Sequence, residues 1–184
     1  MAAAALHSRF ASILSPWRDR PAPALVPSGV AAVDLPRGCL TEIFGPASSG
    51  RTALLLSAMA QATAREEACA MVDAADAFDP ASAAAAGVRL DRVLWVRCGG
   101  HAGHALTAVD LVVQGGGFGL VALDLGDTPP ATARRIPLAS WFRLRRAVEH
   151  TPTVLLVLAR QSGAASCTSL RLEMTQRKPA PLEL

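Results

Sequence analysis

Gly45-Pro46-Ala47-Ser48-Ser49-Gly50-Arg51-Thr52 is the stretch on which the fold turns. A glycine, four residues, a second glycine, a basic residue and a hydroxyl residue make the spacing of a phosphate-binding loop. Glycines let consecutive backbone N–H groups converge on phosphate oxygens, and a following helix adds partial positive charge at its N-terminus. The Thr52 hydroxyl suits a Mg²⁺ ion, and the basic side chain suits the outer phosphates of a nucleotide. One position departs from the pattern, because Arg51 stands where lysine is required. A guanidinium keeps the charge, but it is wider and planar and presents a different donor geometry. Nucleotide binding is thus expected to survive better than placement of a transferring phosphoryl group. The plain alternative is a Gly/Ser turn ahead of a helix; the apolar run 39–44 before it favours the phosphate loop.

Outward from the loop, strands and helices alternate. The sequence predicts strands at 39–44, 68–72, 93–96, 120–125, 153–158 and 170–174, and helices at 51–65, 80–86, 102–114 and 137–150. Such alternation implies an α/β fold: a mainly parallel sheet with helices on both faces. A short helix at 2–14 and a Pro-rich stretch at 16–27 read as an arm. The expected organisation is an N-terminal arm or linker at 1–26, a core domain at 27–176 and a tail at 177–184.

Composition bounds the class. The chain has 184 residues, about half of them apolar, which suits one domain with a proper core. Its most apolar stretch, 111–125, is broken by Gln114, four glycines and Asp124, so no membrane span is predicted. No signal peptide is evident, and a cytoplasmic protein is expected. Net charge is +3, and all but one of the 18 basic residues are arginine. That bias also offers a compositional explanation for Arg51. Cys39, Cys69, Cys98 and Cys167 form no metal-ligand spacing and read as buried thiols.

Asp124 lies near the end of an apolar strand, some seventy residues after the loop. A carboxylate there is the expected partner of Thr52 in holding Mg²⁺ in such NTPases. Asp127 reads as a turn residue before Pro129-Pro130. His101 and His104 share a helix face near Cys98, but no further ligand is placed to make a metal site. Arg134, Arg135, Arg143, Arg145, Arg146 and His150 form a basic cluster. A stripe of Leu138, Trp141, Leu144 and Val148 would leave Arg143, Arg146 and His150 on another face, for a nucleic acid, an acidic partner or solvent.

These residues together resemble the RecA family. Ser28-Gly29-Val30-Ala31-Ala32-Val33-Asp34, then Leu35-Pro36-Arg37-Gly38, is similar to the family's opening segment without its usual glycine pair. Thr41-Glu42-Ile43-Phe44-Gly45-Pro46-Ala47-Ser48-Ser49-Gly50 resembles the signature EIYGPESSG, and Val72-Asp73-Ala74-Ala75-Asp76-Ala77-Phe78-Asp79-Pro80 resembles IDAEHALDP. Gly119 to Asp124 matches the Walker B strand, Leu156 to Gln161 the strand leading to a phosphate-sensing glutamine, and Leu170-Arg171-Leu172-Glu173 the late strand VRLDI. The resemblance covers about residues 27–175. It implies a RecA-like P-loop core, with ATP and Mg²⁺ as cofactors at Gly45–Thr52, Asp124 and Gln161.

The departures carry as much information. Arg51 replaces the lysine, and Cys98-Gly99-Gly100-His101-Ala102-Gly103-His104 holds no carboxylate where the family has its catalytic glutamate. A water-activating base is therefore missing from its expected place. Both DNA-loop segments are short, at 125–137 and 162–169, the N-terminal arm is brief and no large C-terminal domain is expected. Such losses resemble the shortened ImuA-type, or SulA-like, subgroup that accompanies error-prone polymerases in the SOS response to DNA damage. The similarity includes Leu94-Trp95-Val96-Arg97-Cys98 and the Arg-rich segment after Asp124. It implies a DNA-repair accessory protein of translesion mutagenesis with vestigial nucleotide binding. Polymerase-type proteins, single-stranded DNA and further copies of the chain are the implied partners, at Arg134, Arg135, Arg143 and Arg146. The alternative is a minimal recombinase, a DNA-dependent ATPase acting in DNA recombination. A small-molecule kinase lacks a recognisable lid.

Overall fold

Alternating side chains along the central strands feed two separate apolar cores. The structure, a computed structural model, describes residues 22–176. Val121, Leu123, Leu155 and Val157 point into one core, whereas Leu120, Ala122, Leu156 and Leu158 point into the other. Strands buried on both faces require helices on both faces.

The strands are β1 (Leu25–Pro27), β2 (Asp34–Pro36), β3 (Cys39–Phe44), β4 (Ala68–Asp73), β5 (Val93–Arg97), β6 (Phe118–Asp124), β7 (Val154–Ala159) and β8 (Leu170–Glu173). The helices are α1 (Arg51–Ala64), α2 (Pro80–Ala85), α3 (Ala102–Gly115), α4 (Pro130–Ala133) and α5 (Leu138–Val148). Six strands form one parallel sheet in the order β5-β4-β6-β7-β3-β8. Leu54, Leu55, Met59 and Ala62 of α1 fill the core on one face. Leu106 and Val109 of α3, with Trp141, Leu144 and Val148 of α5, fill the other. Because β3 and β6 are parallel with β7 between them, their C-terminal ends open onto one edge of the sheet.

The expected fold class holds, and most elements fall where the sequence places them. The strand expected at 120–125 runs instead over Phe118–Asp124. The helix expected at 137–150 spans Leu138–Val148, because His150 turns left-handed (φ 65°) and Thr151 donates its N–H and its hydroxyl to the Val148 carbonyl. Leu138 does not join the apolar stripe. It lies in the first turn, beyond the packed cluster, and is 51 % exposed. Phe142, one turn on, is also exposed.

The sequence reading has no counterpart for the hairpin of β1 with β2, which draws Leu25 and Val26 out of the expected arm. It is too short to show a period, and buried Leu35 ties it to the core around α1. Helix α4 is a single turn begun by Pro130, inside a segment expected to be loop. The helix expected at 2–14 and the tail expected at 177–184 lie outside the described residues.

Leu144 is fully buried and Leu138 is not, so the two leucines of α5 have different expected effects. Leu144→Ala should lower the unfolding free energy by about 3 kcal/mol. Leu138→Ala should change it by less than about 0.5 kcal/mol. Urea unfolding of both variants checks the assignment.

Candidate phosphate-binding site

Strand β3 delivers the chain to residues 45–50 at the C-terminal edge of the sheet, and α1 begins directly at Arg51. Ser48 (φ 57°) and Gly50 (φ 92°) both take left-handed conformations, curling the loop ahead of the helix. No side chain caps the N-terminus of α1. Its first N–H groups and the helix dipole are thus left for an external anion. Pro46, Ala47 and Ser48 are exposed, Ser49 is half-buried, and Thr52 is exposed.

Two polar atoms of this loop are buried without a hydrogen-bond partner: Ser49 Oγ and Arg51 Nη1. Arg51 as a whole is only 9 % exposed. Buried donors in folded proteins are almost always paired; Thr41 Oγ1, Arg92 Nε and Asp110 Oδ1 are orphaned elsewhere, but these two stand in a loop that leads into an uncapped helix start. A phosphate group fits, since a guanidinium and a hydroxyl both donate to its oxygens.

Asp124 ends β6, and its Oδ1 accepts the Gly126 N–H at 2.7 Å. Burial pushes its pKa up, the Asp73 carboxylate adds to this, and the Gly126 N–H and the Arg51 guanidinium oppose it. Gly126 itself is wedged between the two charges. A Cβ there would sit 2.9 Å from Asp124 Oδ1 and 3.0 Å from Arg51 Nη1. A Cβ on Gly126 would thus press on the tips of both charged side chains.

Asp73 sits beside Asp124 in register on β4, yet its carboxylate is committed elsewhere. It accepts from the N–H groups of Ala77 and Phe78 and from Trp95 Nε1. Asp76 accepts from the N–H groups of Cys98 and Gly99, and Asp79 caps α2 through Ala81 and Ser82. These three carboxylates of the 72–80 segment are structural pins. The segment without a carboxylate, 98–104, is the turn into α3 that Asp76 holds. Its His101 and His104 rings stack at 4.9 Å, and among the described residues no group of three or more metal-ligating side chains forms.

Gln161 is exposed between two anchored neighbours. Arg160 donates to the Gly126 carbonyl at 2.8 Å and to Asp127 at 3.1 Å. Ser162 Oγ, Gly163 N–H and Ala164 N–H all donate to the carboxylate of Glu42, a fully buried residue of β3. Glu42 and Arg160 therefore hold the segments after β6 and β7 beside the loop, and neither was singled out from sequence. A charged residue inside the apolar run 39–44 was the available signal for Glu42. On the loop's other flank, the Met174 carbonyl lies where a Cβ on Gly45 would stand, and Gln176 Nε2 donates to the Ala47 carbonyl at 2.8 Å.

The basic cluster is divided. Arg143 leans onto α3 and pairs with Asp110 at 3.3 Å, and Arg145 pairs with Glu149. Arg134 donates to the Pro130 carbonyl of its own turn. Arg135 and Arg146 are exposed, with no ionic partner among the described residues. The face expected from Arg143, Arg146 and His150 is thus not a uniform one.

The RecA N-terminal domain family model matches residues 25–130 of the chain. The chain belongs to the RecA family. Protein RecA of Ectopseudomonas oleovorans is 42 % identical over 90 residues, covering 49 % of this chain and 26 % of that protein. Protein RecA from each of two strains of Chloroflexus aurantiacus is 30 % identical over 154 residues, covering 72 % of this chain and 44 % of the relative. The chain thus spans less than half the length of these relatives. The span matched to the RecA model contains the loop and Asp124, and it ends before Gln161 and the basic residues of α5.

Of the two cofactors expected here, the nucleotide phosphates fit the orphaned donors better than Mg²⁺ fits its side chains. Thr52 and Asp124 are oxygen donors of the right kind. However, Oδ1 of Asp124 already accepts the Gly126 N–H, so the carboxylate is partly committed.

A raised pKa for Asp124 means that this group holds more proton in the folded chain than in the unfolded one between the ordinary aspartate value and the raised one. Its contribution to stability therefore falls as pH rises from the ordinary aspartate value through the raised one. Asp124→Asn should remove that loss, so the variant's stability relative to the parent should climb across this window and then level off. Urea unfolding of both proteins from pH 4 to pH 7 tests the sign.

Proposed function

We propose that this chain is a RecA-type accessory factor of DNA repair that holds a nucleotide at Gly45–Thr52 and hydrolyses it little or not at all. One contrast carries the reading. Donors suited to a phosphate, Ser49 Oγ and Arg51 Nη1, stand unpaired in the loop, whereas the turn into α3 offers no carboxylate to activate water. Binding and turnover are thus separable here, and the residues favour the first.

The family relationship supports a role in DNA recombination or repair, with single-stranded DNA and further copies of the chain as partners. The shortened loops favour the accessory, ImuA-like role in translesion synthesis beside error-prone polymerases, in the cytoplasm and under the SOS response. Among the described residues no helix is long and apolar enough to cross a membrane. Both short segments are held down, by Arg160 on Gly126 and Asp127 and by Glu42 on residues 162–164. Such pinning suits a fixed docking edge better than arms that wrap DNA. Arg135 and Arg146 are the best placed basic contacts, since Arg143 already has Asp110.

Two measurements test this. ATP turnover by the purified chain should stay at background with and without single-stranded DNA, while labelled ATP is still retained. DNA-stimulated turnover lost in Asp124→Ala would favour the recombinase reading instead. Separately, Arg135→Glu with Arg146→Glu should weaken capture of a polymerase-type partner or of single-stranded DNA by about tenfold, with the larger effect at low salt. Unchanged capture of both would remove this surface from the reading.

A further inference from the structure

We propose that the Arg51 guanidinium takes over the charge-neutralising part of the divalent cation, so that the loop captures the terminal phosphate of a nucleotide without Mg²⁺. The proposal rests on the reading of Gly45–Thr52 as a nucleotide site and specifies how that site works.

Arg51 is the first residue of α1, nine-tenths buried, and Nη1 has no hydrogen-bond partner. An arginine stays charged at any ordinary pH, and burying it unpaired is costly. Asp124 supplies one compensating charge, and Nη1 still lacks an acceptor oxygen. Ser49 Oγ, the second buried orphan of the same loop, and the uncapped start of α1 offer further neutral donors. Nothing in this set needs a metal to bind phosphate, because a guanidinium can present two parallel N–H donors to two phosphate oxygens. A lysine offers a compact point charge in the same place and no such paired geometry.

The metal side of the site is correspondingly weak. Asp124 spends Oδ1 on the Gly126 N–H and looks across Gly126 at the guanidinium. Thr52 is exposed, and its hydroxyl makes no hydrogen bond within the described residues. Together Thr52 and Asp124 would offer a divalent ion one hydroxyl and one partly committed carboxylate. The geometry thus favours a phosphate bridging Ser49, Arg51 and the helix start, with Asp124 serving to hold the guanidinium in place through its charge.

The test is equilibrium binding of ATP, ADP and inorganic phosphate to the full chain, by calorimetry, in EDTA and in excess Mg²⁺. The expected result is an ATP affinity that differs by less than about threefold between the two conditions. Arg51→Lys should restore metal dependence, with Mg²⁺ tightening ATP by about tenfold or more. Arg51→Ala should lose ATP binding in EDTA; should that variant not fold, the lysine comparison decides alone. A parent chain whose ATP affinity rises tenfold or more with Mg²⁺ overturns the proposal and leaves the nucleotide reading standing. Absence of ATP binding in both conditions overturns that reading, and the proposal with it. Inorganic phosphate binding as tightly as ATP in EDTA supports capture without metal but overturns the nucleotide as its ligand.

Discussion

Burial of β6 and β7 on both faces is the constraint from which the rest of this molecule follows. Every residue of β7 is buried, as is every residue of β6 between its two ends. No polar face is left to solvent, so α1 must cover one side and α3 with α5 the other. Parallel strands put all their C-terminal ends along one edge, and that edge receives both the Gly45–Thr52 loop after β3 and Asp124 at the end of β6. The site is thus a by-product of how the core is closed.

At that edge, buried carboxylates do most of the positioning. Glu42 collects three donors from residues 162–164, and Asp73 collects two backbone N–H groups and an indole. Each is a charge taken out of water, which is tolerable only because its acceptor oxygens are matched. Asp124 is different. It has one strong backbone donor, a neighbouring like charge in Asp73 and an opposite charge in Arg51, and burial raises its pKa. A carboxylate with a single backbone donor therefore stands beside the loop, next to an arginine with an orphaned Nη1. Such polar imbalance in an otherwise paired edge is where ligand chemistry is to be expected.

Legibility differed by residue. The apolar runs at 39–44, 120–125 and 153–158 were readable because a strand buried on both faces has no polar period to blur it. Gly45 to Thr52 and Asp124 were readable because the motif demands them at a set place in a strand, loop and helix. The β1–β2 hairpin and the single turn α4 were not, being too short for any period to emerge. Leu138 was misplaced because spacing along a helix says which face a residue shares, not how far the helix extends past its neighbours. Arg143 was assigned to an open basic face for the same reason, since the partner that claims it, Asp110, lies on another helix.

By itself the sequence determined the α/β class, the RecA kinship and the loop with arginine in lysine's place, because these depend on local spacing and side-chain type. Tertiary structure alone decided where Arg51 stands. Its burial, its orphaned Nη1 and its view of Asp124 across Gly126 arise from strands far apart in the chain meeting at one sheet edge. It also decided that Glu42, rather than any motif residue, anchors the segment carrying Gln161. Charges act through space, and their balance at a site is set only once the chain has brought them together.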